Sequence, residues 1–213
     1  MTLERATLVG KEHIIVASED HRFLVQDCAG AARAHSTILL EPVGRNTAAA
    51  MAAAALNAPI DALLLFLPAD HHIPDAEAFA ASIQSAVPAA LSGSIVTFGV
   101  LPSFPSTAYG YIQQGAALPG QGAAHAVQRF VEKPNAGTAQ ELLLAGGHFW
   151  NAGIFLTKVN TLLAALEMHS PDILVSCRRA VAEQTIDGDF RRLGAEAFTG
   201  CRADSIDYAV MEK

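Results

Sequence analysis

The stretch Ala62-Leu63-Leu64-Leu65-Phe66-Leu67-Pro68-Ala69-Asp70-His71 decides the fold. Ala62–Leu67 is an unbroken apolar run, too short for a helix and closed by proline. Such a run reads as a strand buried on both faces of a parallel sheet. Just past its end stands a carboxylate, Asp70. Ligands of open α/β sheets bind outside the carboxyl ends of the strands, so an Asp there is placed to hold Mg²⁺ against phosphate oxygens. It is equally placed to cap the next helix, and position alone does not choose. The neighbouring His71 and His72 do not make a zinc site. Adjacent side chains at a strand end diverge, and no Cys or further His follows at ligand spacing.

Outward from this strand, the pattern alternates. His13–Ala17 is a β-branched strand, and Ser18-Glu19-Asp20 starts a helix over Asp20–Ala32. Ser36–Leu40 is a strand closed by Glu41-Pro42. An Ala-rich helix, Thr47–Leu56, follows, capped by Asn46 or Thr47. Beyond Asp70, Asp75–Leu91 is helical with an interruption at Pro88, and Ser94–Val100 is another buried strand. Strand and helix in turn spell a doubly wound α/β sheet, mixed but mainly parallel, with helices on both faces. After Leu101 the rhythm changes. Tyr109–Gln114 and His125–Val131 read as a hairpin-like pair, Thr138–Leu144 as a helix and Gly153–Thr157 as a short strand. Thr161–Met168 and Pro171–Thr185 are helical, and Asp187–Arg192 leads into an irregular tail. No repeat or linker divides residues 1–213, so one domain is expected.

With 213 residues, 51% hydrophobic and only 16% charged, the composition is globular. The net charge of -7 argues against a nucleic-acid partner, which needs clustered cations, but not against a nucleotide bound through dipoles and metal ions. Cys28, Cys177 and Cys201 are far apart and without metal spacing, which fits a reducing compartment. The first ten residues have no secretory pattern, and the apolar stretches Ala48–Leu56 and Ala62–Ala69 are too short to cross a bilayer. A soluble cytoplasmic protein without membrane attachment is expected.

Four further segments look chemical, and each has an ordinary reading. Glu41-Pro42-Val43-Gly44-Arg45-Asn46-Thr47 is a loop entering a helix N-terminus, with a guanidinium and an amide for an anion or a base; otherwise it is a cap with a solvated Arg. Phe130-Val131-Glu132-Lys133-Pro134 ends a strand in an acid and a base, suited to a phosphate or simply a surface pair. Trp150-Asn151-Ala152-Gly153-Ile154-Phe155 offers an amide for sugar hydroxyls and small residues for close approach, or a buried Trp with a turn behind it. Ser205-Ile206-Asp207-Tyr208-Ala209-Val210-Met211-Glu212-Lys213 reads alone as a helix cap.

Together, EPVGRNTA, LPADH, YGYI, FVEKP, WNAGIF and SIDYAVMEK, in this order and spacing, closely resemble mannose-1-phosphate guanylyltransferases of the bacterial type often fused to a phosphomannose isomerase. The resemblance runs from about His13 to Lys213. It implies a Rossmann-like nucleotide-diphospho-sugar transferase fold, and the making of GDP-mannose and pyrophosphate from GTP and mannose 1-phosphate with Mg²⁺. Position by position, it implies Asp70 and Asp207 as Mg²⁺ ligands and Lys133 on the sugar phosphate. Glu132 and Asn151 would contact mannose hydroxyls. Gly110 and Gly153 would let backbone approach the substrate, and Arg45 and Asn46 would line the nucleotide side. Two departures stand out. Ala108 replaces the family's usual Gly before YGYI. The family's first strand and Gly-rich, Arg- and Lys-bearing phosphate loop are not found before His13, nor are its C-terminal β-helical and isomerase parts found after Lys213. The competing readings are a non-catalytic sugar-phosphate-binding or regulatory remnant, and a sister pyrophosphorylase, although GRNTA and SIDYAVMEK favour guanine and mannose. A missing strand would leave an open sheet edge, which invites homo-oligomers.

Without that loop, the 213-residue polypeptide is expected to show little or no turnover, because losing a single preorganised donor already costs about 10²–10³ in rate. Pyrophosphate release from GTP and mannose 1-phosphate with Mg²⁺, at a rate usual for this chemistry, would refute the expectation.

Overall fold

The structure, a computed structural model, describes residues 2–213. A short helix, α1 (Thr2–Ala6), precedes strand β1 (Glu12–Ser18). A 3-10 turn at Glu19–His21, with Ser18 accepting from the Asp20 amide, opens α2 (Arg22–Ala31). Then come β2 (His35–Glu41), α3 (Asn46–Leu56), β3 (Leu63–Phe66), α4 (Ala76–Leu91) and β4 (Val96–Val100). The hairpin β5 (Tyr111–Ala117) and β6 (His125–Val131) leads to α5 (Ala136–Ala145) and the long β7 (His148–Lys158). Helices α6 (Val159–His169) and α7 (Pro171–Ala182), strands β8 (Thr185–Asp187) and β9 (Phe190–Arg192), α8 (Ala195–Thr199) and a π-helical turn at Asp207–Met211 complete the order.

The α/β class, with a mixed sheet and helices on both faces, is as expected, but among the described residues five strand pairings are antiparallel and two parallel, so the sheet is not mainly parallel. The strands form two ladders. In one, β1 runs parallel to β2 and β2 parallel to β9, with β8 antiparallel to β9. In the other, β7 is antiparallel to β3, β4 and β5, and β5 to β6. Helices cover both faces. On one face α3 buries Ala48, Ala49, Ala52, Ala53 and Ala55 against Leu162, Leu166, Ile173, Leu174 and Phe198. Alanine allows this close approach, and it also carries the best helix propensity. On the other face Phe79 and Ile83 of α4 meet Ile154 and Leu156 of β7.

Several local expectations are corrected. Leu63–Phe66 is neither flanked by parallel neighbours nor fully buried. It pairs only with β7, antiparallel, and all four residues are half-buried. Its alternation still serves two cores, with Leu64 and Phe66 on the α3 side and Leu63 and Leu65 on the α4 side. Helix α4 continues through Pro88, because the last turn still closes when Ser92 N donates to Pro88 O at 3.1 Å. Strand β7 begins at His148, not Gly153: a bulge sets three of its residues, Ala152, Gly153 and Ile154, against the single Phe98 of β4 between the pairs Thr97–Phe155 and Gly99–Asn151. Gly153 sits in that bulge at φ 66°, a left-handed conformation that glycine adopts without strain. Finally, the helix expected to Thr185 ends at Ala182, and Asp187–Arg192, expected to lead into an irregular tail, belongs to a hairpin that turns at Gly188 (φ 59°) and whose second strand extends the β2 ladder.

Among the described residues, β1 and β3 each end a ladder with one unpaired edge. Unpaired apolar strands template pairing with other chains. The apparent mass by light scattering is therefore expected to rise with concentration; a constant monomer mass up to the millimolar range would contradict it.

Candidate active site

The site is built where β7 bulges. Asn151 Oδ1 accepts from Thr97 Oγ1 at 2.7 Å and from the Gly153 amide at 3.1 Å, while its Nδ2 donates to Asp207 Oδ1 at 2.9 Å. This is why Asn151 and Asp207, remote in sequence, meet. Asp207 is positioned as the first residue of the π-helical turn, whose next amide, Tyr208 N, donates to Ser205 Oγ at 3.3 Å. Burial, and then the charge of Glu132, push the Asp207 carboxyl up to about 6, against the opposing pull of Lys133 and Asn151.

Glu132 and Lys133 follow the end of β6. Lys133 has φ 44°, and its ammonium turns onto Glu132, with Nζ 2.8 Å from Oε1. The two side chains differ sharply in exposure, 6% for Glu132 and 54% for Lys133. An exposed pair contributes little to stability. Here the acid is fixed and the ammonium is free to reach a ligand. The Glu132 bond raises the Lys133 pKa, with Tyr208 and Asp207 adding to it, so the lysine carries its charge throughout the neutral range. The Glu132 amide is held by Glu212 Oε1 at 2.7 Å. Facing the acid is Gly110: a Cβ there would stand 2.5 Å from Glu132 Oε2, and its carbonyl accepts from Asn151 N at 2.8 Å. Trp150 walls the neighbourhood through edge contacts with Phe104 and Tyr109, at centroid distances of 4.8 and 5.1 Å.

Gly110, Glu132, Lys133, Asn151, Gly153 and Asp207 are thus brought together by the fold. Arg45 and Asn46 join through the segment that enters Asp207. Thr47 Oγ1 accepts from Ile206 N at 2.9 Å, and Ala48 N donates to Asp204 O at 3.1 Å. Asn46 takes a left-handed φ of 65° and accepts from Thr47 N, while Arg45 donates to the carbonyls of Phe198 and Thr199. Helix α3 starts at Asn46 with Arg45 in the cap position and no side-chain cap, so neither Asn46 nor Thr47 caps it as expected; both lie inside its first turn.

Asp70 lies on an exposed turn after β3, with no hydrogen bond or ion pair among the described residues. Its loop flanks the bulge, because a Cβ on Gly153 would stand 3.7 Å from Pro68 Cγ. Helix α1 clamps that loop: Thr2 Oγ1 donates to Pro68 O and Ala69 O, and Arg5 donates to His71 O at 2.6 Å. Among the described residues no three His, Cys, Asp or Glu side chains converge as a metal cluster. Thr97 is a site residue that the sequence did not single out, and Tyr208 and Glu212 were quoted within SIDYAVMEK without a role. The one signal for Thr97 is a polar residue in the apolar run SIVTFGV.

Glu41, which opens the EPVGRNT segment, ends β2. Its Oε1 is buried without a hydrogen-bond partner, and burial pushes its carboxyl up to about 7.

The α/β fold thus gathers carboxylates, an amide and a lysine around the bulge of β7. The chain belongs to the nucleotidyl transferase family, whose model, described as "Nucleotidyl transferase", matches residues 1–196. Over 215 residues it is 46% identical to the xanthan biosynthesis protein XanB of Xanthomonas campestris pv. campestris (strain B100), with 99% of this chain and 45% of that protein covered. It is 42% identical to the mannose-1-phosphate guanylyltransferase of Escherichia coli K12, covering 94% of this chain and 44% of the relative. The chain therefore spans less than half the length of these relatives. A solved structure from Helicobacter pylori, described as a mannose-6-phosphate isomerase, superposes with a TM-score of 0.91 at 32% identity, covering all of this chain and 82% of that one. No helix among the described residues is long and apolar enough to cross a membrane.

The Glu41 carboxyl holds its proton to about pH 7 in the folded chain but only to about 4.5 when unfolded. The folded state then binds more protons between these values, so stability falls as pH rises through that window. Glu41→Gln is expected to raise Tm at pH 8 and to change it little at pH 5; thermal melts showing equal effects at both would contradict this.

Proposed function

We propose that this chain is a domain of a mannose-1-phosphate guanylyltransferase, an enzyme that makes GDP-mannose and pyrophosphate from GTP and mannose 1-phosphate in the cytoplasm. The observation that carries the reading is the Glu132–Lys133 pair beside Asp207 and Asn151, faced by the bare backbone of Gly110. The identity to guanylyltransferases over nearly the whole chain supports it.

In this reading a phosphate oxygen of mannose 1-phosphate attacks the α-phosphorus of GTP. The bond to the bridging oxygen of the β-phosphate breaks in line, and pyrophosphate leaves with that electron pair. No protein nucleophile takes part; positioning supplies much of the rate. Lys133 holds the sugar phosphate by charge. Glu132 and Asn151 take the mannose hydroxyls, and Gly110 and Gly153 leave room for the sugar against the backbone. Arg45 and Asn46 lie on the nucleotide side.

The donor set fits Mg²⁺, which is commonly held by one or two carboxylates together with substrate phosphates rather than by an all-protein cage. Asp207, anchored by Asn151, and Asp70, unpaired on its turn, would hold the ion. Bound there, Mg²⁺ supplies neutralisation of the phosphate charge.

By calorimetry, GDP-mannose is expected to bind in Mg²⁺ and to lose affinity with chelator or on Asp70→Asn. Lys133→Ala is expected to weaken mannose 1-phosphate about tenfold or more, as for loss of a charge-assisted contact. Equal affinity with chelator would refute the cation reading. Unchanged affinity in Lys133→Ala would return Lys133 to an ordinary surface pair.

A further inference from the structure

Thr97 lies on β4 opposite Phe155, immediately before the bulge, between Val96 and Phe98, which pack into the α4-side core. A strand position of this kind is filled equally well by valine, which has the same branched shape. The hydroxyl needs a separate reason, and its hydrogen-bond partner is Asn151 Oδ1, at 2.7 Å.

The direction of that bond follows from its neighbours. The Gly153 amide can only donate, so the atom it meets at 3.1 Å is the Asn151 oxygen. The opposite end of the carboxamide faces Asp207, whose ionised carboxylate can only accept. Thr97 therefore donates. Two donors, one from the bulged backbone and one from β4, lock the carboxamide in the orientation that presents Nδ2 to Asp207. Without the hydroxyl, one donor remains, and the terminal amide torsion of asparagine is broad.

We propose that Thr97 is a positioning residue, which acts through Asn151 to hold the Asp207 carboxylate in place for a phosphate-bound divalent cation. The cation part rests on the reading of Asp207 given under the proposed function. The chain Thr97–Asn151–Asp207 joins β4, β7 and the C-terminal turn, so the register of the β4–β7 pair is transmitted to a carboxylate on another element. Residues that orient metal ligands in this way typically cost 10–100-fold in metal affinity when lost.

The test compares Thr97→Val, which keeps the shape and removes the donor, with Thr97→Ser, which keeps the donor. Two readouts are taken on the 213-residue chain: the side-chain amide NMR signals of Asn151, identified by their loss in Asn151→Ala, and Mn²⁺ affinity by electron paramagnetic resonance in saturating GDP-mannose. Thr97→Val is expected to shift and broaden the Asn151 signals and to weaken Mn²⁺ about tenfold, and Thr97→Ser to restore both. Asn151 signals unchanged in Thr97→Val, or a serine variant that behaves like valine, would overturn the proposal. If Thr97→Val fails to fold, Thr97→Ala is read by the same criteria. If the unsubstituted chain binds neither Mn²⁺ nor GDP-mannose, the proposed function falls, and the Asn151 signals still decide whether Thr97 orients the amide.

Discussion

Strand β7 has two edges, and both must be paired along its length. An interior strand cannot leave its amides and carbonyls without partners, since each buried unpaired group costs about 1–3 kcal/mol. The demand is met by β4 on one side and by β3 and β5 in succession on the other. These strands come from distant parts of the chain, so β7 fixes where the loops that follow them emerge. The loop after β3 carries Asp70, and the turn before β5 carries Gly110. The bulge in β7, centred on Gly153, supplies the free backbone amide that orients Asn151. A regular strand there would spend that amide on the ladder and leave the carboxamide without its anchor.

The electrostatics of the site follow from this geometry. Glu132 and Asp207 are brought within range of one another in a half-buried setting, and two like charges there raise the cost of ionising either. Asp207 shows this, with burial and the Glu132 charge raising its carboxyl to about 6. Lys133 offsets part of that cost, and its exposed ammonium stays on the open side of the pair. In the proposed function, a ligand would bring anionic phosphate to Lys133 and a cation to Asp207. The acidic net charge of -7 is compatible with this, because the recognition is local.

The backbone of the C-terminal segment is tied in by several independent bonds, while the Asp207 carboxylate itself is anchored by the Asn151 amide. Ile206 N is held by Thr47, Asp204 O by Ala48 N, and Asp207 by Asn151, while Ser170 Oγ donates to Ala209 O at 3.1 Å. Arg202 adds ion pairs with Asp172 and Asp204 that link the same stretch to the start of α7. Helix α3 therefore has two tasks. Its alanine surface lets α6 and α7 approach, and its first turn supplies the donors and acceptors that seat residues 204–206.

The alternation of apolar runs and amphipathic segments, read from the sequence alone, was enough for the α/β class and for helices on both faces, because period and burial are local properties of the chain. The wording of LPADH, FVEKP, WNAGIF and SIDYAVMEK was enough to mark Asp70, Lys133, Asn151 and Asp207 as candidates. Strand partners were not legible. Ala62–Leu67 has the composition of an interior parallel strand, yet Leu63–Phe66 pairs on one side only and antiparallel, because pairing depends on which other strands arrive beside it. The start of β7 at His148 was hidden too, since a bulge interrupts the period-two pattern on which strand reading relies. Thr97 looked like one polar residue in an apolar run until Asn151 was brought to 2.7 Å from its hydroxyl. Local chemistry is written in the residues themselves; a hydrogen bond between residues far apart in the chain is not, because only the packed sheet sets the distance.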